Sequence, residues 1–281
     1  MKNNNRVVRK PSVSEQLPLK NEFSQAESRE NTGLERQPTG LSNKSNIMIF
    51  YLCIFIFLPL TVQAQVFPDS FVMFRDTVYM QDKTLLETLR LYTAAKKDVE
   101  TLFTGTELFL ALSRCEYLIG ITFRAEGRNS EAAAYFEQGI AWAEDSLALG
   151  PTSEGYRLMG TNIAFLCEIR RSYGLKNFGK IEDNAKKALE LDPYNLLAQY
   201  LLAARYVSAP WPLADVRKGT ALLVEITKQN YAAMEKEDLF NLYLMLEAAY
   251  LKQKKNQEAQ IWRERGMALY PTNQFIRLLV E

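Results

Sequence analysis

Three stretches of this chain end a helix in the same way. Leu149-Gly150-Pro151-Thr152, Leu191-Asp192-Pro193-Tyr194-Asn195 and Leu269-Tyr270-Pro271-Thr272-Asn273 each place a proline two residues after a leucine that closes an apolar run. Proline fixes φ and donates no amide, so it stops one helix and opens the next. Helix interiors repeat as well. Asn129-Ser130-Glu131-Ala132 returns as Asn256-Gln257-Glu258-Ala259, and each alanine is followed seven residues later by glycine, Gly139 and Gly266. Such punctuation restricts the chain to short helices in series, each of which must bury its apolar face against its neighbours.

The periodicity agrees. From about Lys83 onward, apolar residues recur every three or four positions, and no sustained alternating run of β-branched residues appears. Thr106 to Ala125 carries Leu108, Phe109, Leu112, Cys115, Leu118, Ile119 and Phe123, and Glu126-Gly127-Arg128-Asn129 interrupts it. Ser130 is then placed to cap a second helix that runs to Leu149.

These residues resemble the tetratricopeptide repeat (TPR), a helix pair of about 34 residues with small, aromatic and proline positions at set offsets. The clearest unit is Ile119-Gly120-x-x-Phe123 followed by Ala132, Phe136 and Gly139. The last unit shows Tyr243, Leu246, Tyr250, Ala259, Gly266 and Pro271. A middle unit carries Ile181, Ala185, Ala188 and Pro193, and a fourth carries Leu202-Ala203-x-x-Tyr206, Gly219, Leu223 and Ile226. The departure is the period: the anchors Ala132, Ile181, Gly219 and Ala259 lie 49, 38 and 40 residues apart. The resemblance implies an all-α fold, an α-solenoid of about four antiparallel TPR-like helix pairs over 106–281 with extra helices at both ends. An N-terminal segment and capping helix are expected over 65–105. Ala188-Leu189-Glu190-Leu191-Asp192-Pro193 and then Ser208-Ala209-Pro210-Trp211 also resemble a pattern in exported bacterial TPR proteins. Some of these are periplasmic partners of tripartite TRAP solute transporters; where they usually carry Gly-Gly, this chain has Leu213-Ala214.

Composition narrows the chemistry. The 281 residues include no histidine. That excludes Ser-His-Asp and Cys-His nucleophile systems and the histidine-bearing zinc motifs. No phosphate loop, zinc spacing or EF-hand appears, so neither an enzyme nor a cofactor or metal is expected. The formal net charge of +1 supplies no drive toward nucleic acid.

The charge is unevenly spread. Residues 1–46 hold eight Lys and Arg against five Glu, while from Gln65 onward 26 basic residues meet 28 acidic ones. The first 46 residues are polar and poor in aromatics, a composition expected to be disordered. The apolar run Ile47–Val62, 16 residues long, is short for a membrane span of about 20. Val62-x-Ala64 after it fits a signal-peptidase site, with cleavage after Ala64. The alternative is a signal anchor with its basic side inside the cell. Either way the folded part is expected outside the cytoplasm, periplasmic or otherwise exported, with membrane attachment only through that anchor. Met48 offers an alternative start, which would make residues 1–47 a gene-model artefact. Cys115 and Cys167, in apolar helical stretches, are read as two buried free thiols, with one disulfide as the alternative.

The resemblance also implies a site. TPR arrays bind an extended peptide or helix along the concave face, lined by the first helix of each pair. The family's contact offsets fall on Arg114, Tyr117 and Arg124, then Arg170 and Tyr173, then Leu197 and Tyr200, then Asn241 and Leu244. Arg with Tyr suits an acidic or carboxylate-bearing ligand. The bland alternative is that each Tyr packs between repeats and each Arg is solvated. The expected partner is a protein or peptide in the envelope. The second candidate is a TRAP-type transporter or its solute-binding protein, with the chain guiding a small acidic solute.

Overall fold

The computed structural model describes residues 66–210, 212–229, 231 and 234–274. The extension expected to be disordered, the expected signal segment at 47–64 and Trp211 lie outside the described residues. Among the described residues ten α-helices follow one another: α1 Asp69–Met80, α2 Leu85–Leu102, α3 Gly105–Ala125, α4 Asn129–Leu149, α5 Ser153–Ile169, α6 Arg171–Leu191, α7 Leu196–Ser208, α8 Val216–Ile226, α9 Lys236–Lys252 and α10 Asn256–Leu269. Each packs on the next, most extensively within the pairs α3/α4 and α5/α6, and the pairs α7/α8 and α9/α10 follow. These are the four helix pairs expected from the repeats. The extra helices found are α1 and α2; an extra helix after Asn273 would fall on residues 275–281, outside the described residues.

Short polar residues start the helices. Thr84 and Glu87 form a reciprocal capping box at α2. Thr152, Asn195 and Asp215 accept first-turn amides of α5, α7 and α8. The Asn195 amide also donates to Ser153 Oγ at 2.9 Å, which stitches one junction to the previous one. Helix α4 differs from expectation. It begins at Asn129, and its cap residue Arg128 makes no side-chain cap; Arg128 reaches across to Glu131 instead.

Small residues explain how closely the pairs approach. Ala132, Ile181, Gly219 and Ala259 are all buried in the second helix of their pair. A Cβ on Gly219 would come within 2.8 Å of the Ala203 carbonyl oxygen, and one on Gly120 within 2.5 Å of the Phe136 ring. The long period is absorbed by long helices: α3, α4 and α6 each have 21 residues.

Two glycines should therefore respond oppositely to alanine. Gly179 lies in α6 with nothing within 4 Å, so Gly179→Ala is expected to gain about 0.5–1 kcal/mol of helix propensity. Gly120→Ala gains the same propensity but drives a methyl into Phe136. That ring is fully buried and stacked on Phe165 at 5.1 Å, so it has no room to yield. Overpacking of about 1–3 kcal/mol should outweigh the gain, and urea denaturation of the two variants is expected to shift in opposite directions.

The main core joins the two ends of the chain. Phe71, Phe74 and Tyr79 of α1 share one buried cluster with Phe136 of α4, Phe240 of α9 and Tyr270 after α10. Tyr79 stacks on Tyr270 at 5.4 Å and meets Phe240 edge-on at 5.6 Å. The Tyr270 hydroxyl donates to Asp76, and Asn273 donates to the Tyr79 carbonyl at 2.7 Å. So α1 does not cap the array's end. It bridges the first pair to the last and covers part of the inner face. The sequence's helical periodicity begins only at about Lys83, so α1 is unanticipated; its sequence, DSFVMFRDTVYM, is rich in aromatic and β-branched residues.

Cys115 and Cys167 are both free. Burial pushes their thiols up to about 12 and about 11, so neither is a reactive thiolate at neutral pH.

Candidate functional site

The first helices of the pairs, α3, α5, α7 and α9, turn one row of side chains each toward the inner face, and α1 lies against part of it. Helical spacing sets which residues arrive there: Arg114 and Tyr117 on α3, Arg157 and Phe165 on α5, Tyr200 on α7, Asp238 and Asn241 on α9, Arg75 and Tyr79 on α1.

Polar bonds and charge connect these rows. The Tyr79 and Tyr117 hydroxyls are 2.9 Å apart, and the Asn241 amide donates to Tyr79 at 2.8 Å. Tyr117 packs on Phe165 at 5.4 Å. Arg114 donates to both oxygens of Glu235, each at 3.1 Å, and to Glu237 Oε1 at 2.5 Å. Arg75 holds the other side of the same carboxyls, at 2.5 Å from Glu235 Oε2 and 3.1 Å from Glu237 Oε2; the second contact is an ion pair without hydrogen-bond alignment. Arg114 also lies over the Phe67 ring at 4.7 Å. Arg157 is buried against Glu154, with Nε 3.0 Å from Oε2.

Burial and charge compete at each carboxyl. Burial alone would raise Glu235, but Arg114 and Arg75 outweigh it and hold the group down at about 2. Glu237 and Asp238 go the other way. Burial raises both, and the neighbouring carboxyls raise them further, against the pull of Arg114 on both, Arg75 on Glu237 and Arg157 on Asp238. Burial also raises the Tyr117 hydroxyl to about 12 and the Tyr200 hydroxyl further. The ionisable neighbours of Tyr200 are Tyr117, Asp238 and Glu168, from three different helices.

The structure thus brings Arg114, Tyr117, Tyr200 and Asn241 of the expected residues together. Leu244, also on α9, packs against the main core, and Leu197 is half-buried in the first turn of α7. Arg124, near the end of α3, pairs with Glu168 and lies over Phe165. Arg170 and Tyr173 sit elsewhere: Arg170 is the junction residue between α5 and α6, paired with Glu137, and Tyr173 is in the first turn of α6, the second helix of its pair. The second unit's inner row comes from α5 instead, through Arg157 and Phe165. The long first period displaced the expected register.

The expectation of an acidic ligand also changes. Arg114, Arg124, Arg157 and Arg170 each carry a carboxylate of this same chain. Glu235, Glu237 and Asp238 stand at the start of α9, where acids favour the helix N-terminus; in the fold Glu235 and Glu237 also pair with Arg75 and Arg114. The available signal was density: three acids in four residues exceed what one helix start needs. Among the described residues no group of His, Cys, Asp and Glu is placed to hold a metal.

No family model matches the sequence, and neither does any curated protein. In three dimensions the chain is similar to YrrB, a TPR protein with an unusual peptide-binding site, over 69% of this chain and 82% of that one, at 13% identity and a TM-score of 0.34. It is also similar to a kinesin light chain with nearly identical TPR-like repeats from Podosopora anserina, over 72% of this chain and 93% of that one, at 16% identity and a TM-score of 0.34. The chain's own helix pairs, small-residue anchors and proline junctions carry the resemblance to the TPR superfamily.

Proposed function

We propose that this chain is an exported TPR-like scaffold that binds a protein or peptide partner on its inner face. The observation that carries the reading is convergence: four helix pairs each send side chains to one surface, where Tyr200 and Asp238 keep part of their area accessible. Aromatic rings beside polar groups, on rigid helices, suit an ordered peptide segment. Export rests on the apolar run Ile47–Val62 and the small-residue site ending at Ala64.

Enclosure favours a second reading. With α1 tied to the last unit, part of the inner face is covered, which suits a small solute and an accessory role beside a TRAP-type transporter. The internal neutralisation of its arginines weighs against an acidic solute.

A photo-crosslinking side chain placed at Tyr200, and separately at the exposed Leu175 of α6, tests the first reading in the intact envelope. A discrete protein adduct from position 200 and none from 175 is the expected result. Equal labelling, or labelling from 175 alone, would sink it. Mass measurement of the mature chain tests export, with a start at Gln65 expected for cleavage.

A further inference from the structure

We propose that one edge of the helical array rests on a lipid bilayer of uncharged headgroups, and that the chain enters the membrane at that same edge. This rests on the exported reading in its anchored form, in which the apolar run Ile47–Val62 stays in the chain.

The first observation is a row of exposed apolar side chains that the packing of the helices leaves uncovered. Short turns make successive helices antiparallel, so the turns after α2, α4 and α6 fall on one edge. Each of these helices ends in an exposed leucine, Leu102, Leu149 and Leu191, and Tyr194 in the last of the turns is 84% exposed. The turns are neighbours. A Cβ on Gly105 would lie 4.0 Å from Leu149 Cδ1, and the bond from Asn195 to Ser153 joins the turn after α6 to the turn after α4. The Asp192 carboxylate accepts the Tyr194 amide at 3.0 Å, which fixes the turn that presents this ring. The opposite edge is different. Its turns carry Asp82-Lys83, Glu126-Gly127-Arg128 and Lys254-Lys255, with Leu213 as an exposed exception. Apolar groups gathered on one surface mark a contact, where scattered ones do not.

The second observation is where the chain enters. Phe67 meets Phe103 edge-on at 5.7 Å, one residue past Leu102, so the described chain begins at this edge with the exposed Val66. Only Gln63, Ala64 and Gln65 separate Val66 from the end of the apolar run at Val62. Four peptide steps reach at most about 14 Å. A run held in a bilayer therefore holds this edge at the membrane surface. There a weak apolar contact becomes intramolecular and gains from the high effective concentration. Leucines and a tyrosine suit such an interface.

Charge selects the lipid. Within two residues of Val66, Leu102, Leu149, Leu191 and Tyr194 stand Glu100, Glu190 and Asp192, and no Lys or Arg. The contact is therefore apolar, and an anionic surface repels it.

A photo-crosslinking side chain placed at 149, at 194 and, as a control, at 175 tests the contact in the full chain reconstituted into phosphatidylcholine vesicles. Leu175 is exposed on α6 but lies sixteen residues before Leu191, about 24 Å along the helix. Lipid adducts from 149 and 194 are expected to exceed those from 175 about fivefold. Leu149→Glu with Leu191→Glu should lower the adduct at 194 by a similar factor, while circular dichroism shows the fold intact. Replacing part of the lipid by phosphatidylglycerol should lower it about twofold. Adducts no higher than at 175, in a chain that stays with the vesicles, leave the anchor and overturn the docked edge. Stronger labelling with phosphatidylglycerol overturns the apolar contact. A protein adduct from 194 in the intact envelope, in place of lipid, overturns the proposal, and so does a mature chain that starts at Gln65, because the tether is then gone. Labelling from position 200 bears on none of these outcomes, so the inner-face scaffold and the docked edge fail separately.

Discussion

Arg114→Ala is expected to cost about 3–5 kcal/mol of folding stability, because it strips the ionised Glu235 and the buried Glu237 carboxyl of a shared partner. Glu237 is 2% exposed and Arg114 13%, so water cannot replace the lost guanidinium. The change also removes the cation over Phe67 and both bonds to Glu235. A domain has about 5–15 kcal/mol in total, so this loss is large. The Lys228–Glu225 pair sets the contrast, with side chains 64% and 61% exposed. Lys228→Ala is expected to change the unfolding free energy from urea denaturation by less than about 0.5 kcal/mol. Adding Glu235→Gln to Arg114→Ala should recover part of the loss, since the carboxylate that Arg114 holds ionised is then neutral. A small loss in Arg114→Ala would mean that Arg75 alone satisfies Glu237.

The second large effect is on pH dependence. Glu237 and Asp238 are raised above their ordinary values of 4.5 and 3.8, to about 8 and about 6. The folded state therefore holds more protons than the unfolded state between those limits, and stability falls as pH rises from about 4 to 8. Glu235 acts in the opposite window. Its value is depressed to about 2, so its contribution is present above 4.5 and lost as pH falls toward 2. The cluster is most stabilising near pH 4–5. Between pH 5 and 8 the loss is expected to be on the order of 2 kcal/mol. The absence of histidine makes this readable, because no ordinary side chain titrates in that range. Glu237→Gln with Asp238→Asn should flatten thermal stability across pH 5–8. A slope that survives in the double variant would show that other groups cause it.

The helix pairs were legible because stacking leaves a local record. Ala132, Gly120 and Phe136 show in the sequence what they do in the fold, since close approach needs a small residue where an aromatic lands. Arg114, Tyr117, Tyr200 and Asn241 were legible for the same reason: helical spacing fixes what faces inward once the first helix of a pair is known. Arg170 and Tyr173 were displaced because the second unit's helices are long, and an offset counted from a 34-residue repeat lands past α5. Helix α1 left no repeat signal at all. Its contacts with Tyr270 and Asn273 bridge some 194 residues of sequence, and no local pattern encodes a pairing at that distance. The inner ion cluster was hidden likewise, because Arg114 reads as a ligand contact, and nothing local pairs it with Glu237 or either of them with Arg75 until three helices meet.

Helix α1 joins the first and last helix pairs, so the array should behave as a closed unit rather than a linear stack. A linear repeat array frays from its ends, unit by unit. Native-state hydrogen exchange, read helix by helix across a series of low urea concentrations, distinguishes the two. The slowest amides of α1 and α9 are expected to open with the same free energy and the same urea dependence, and Arg75→Ala to lower both together. Opening of α9 and α10 at low free energy while α1 and α3 stay protected would contradict it.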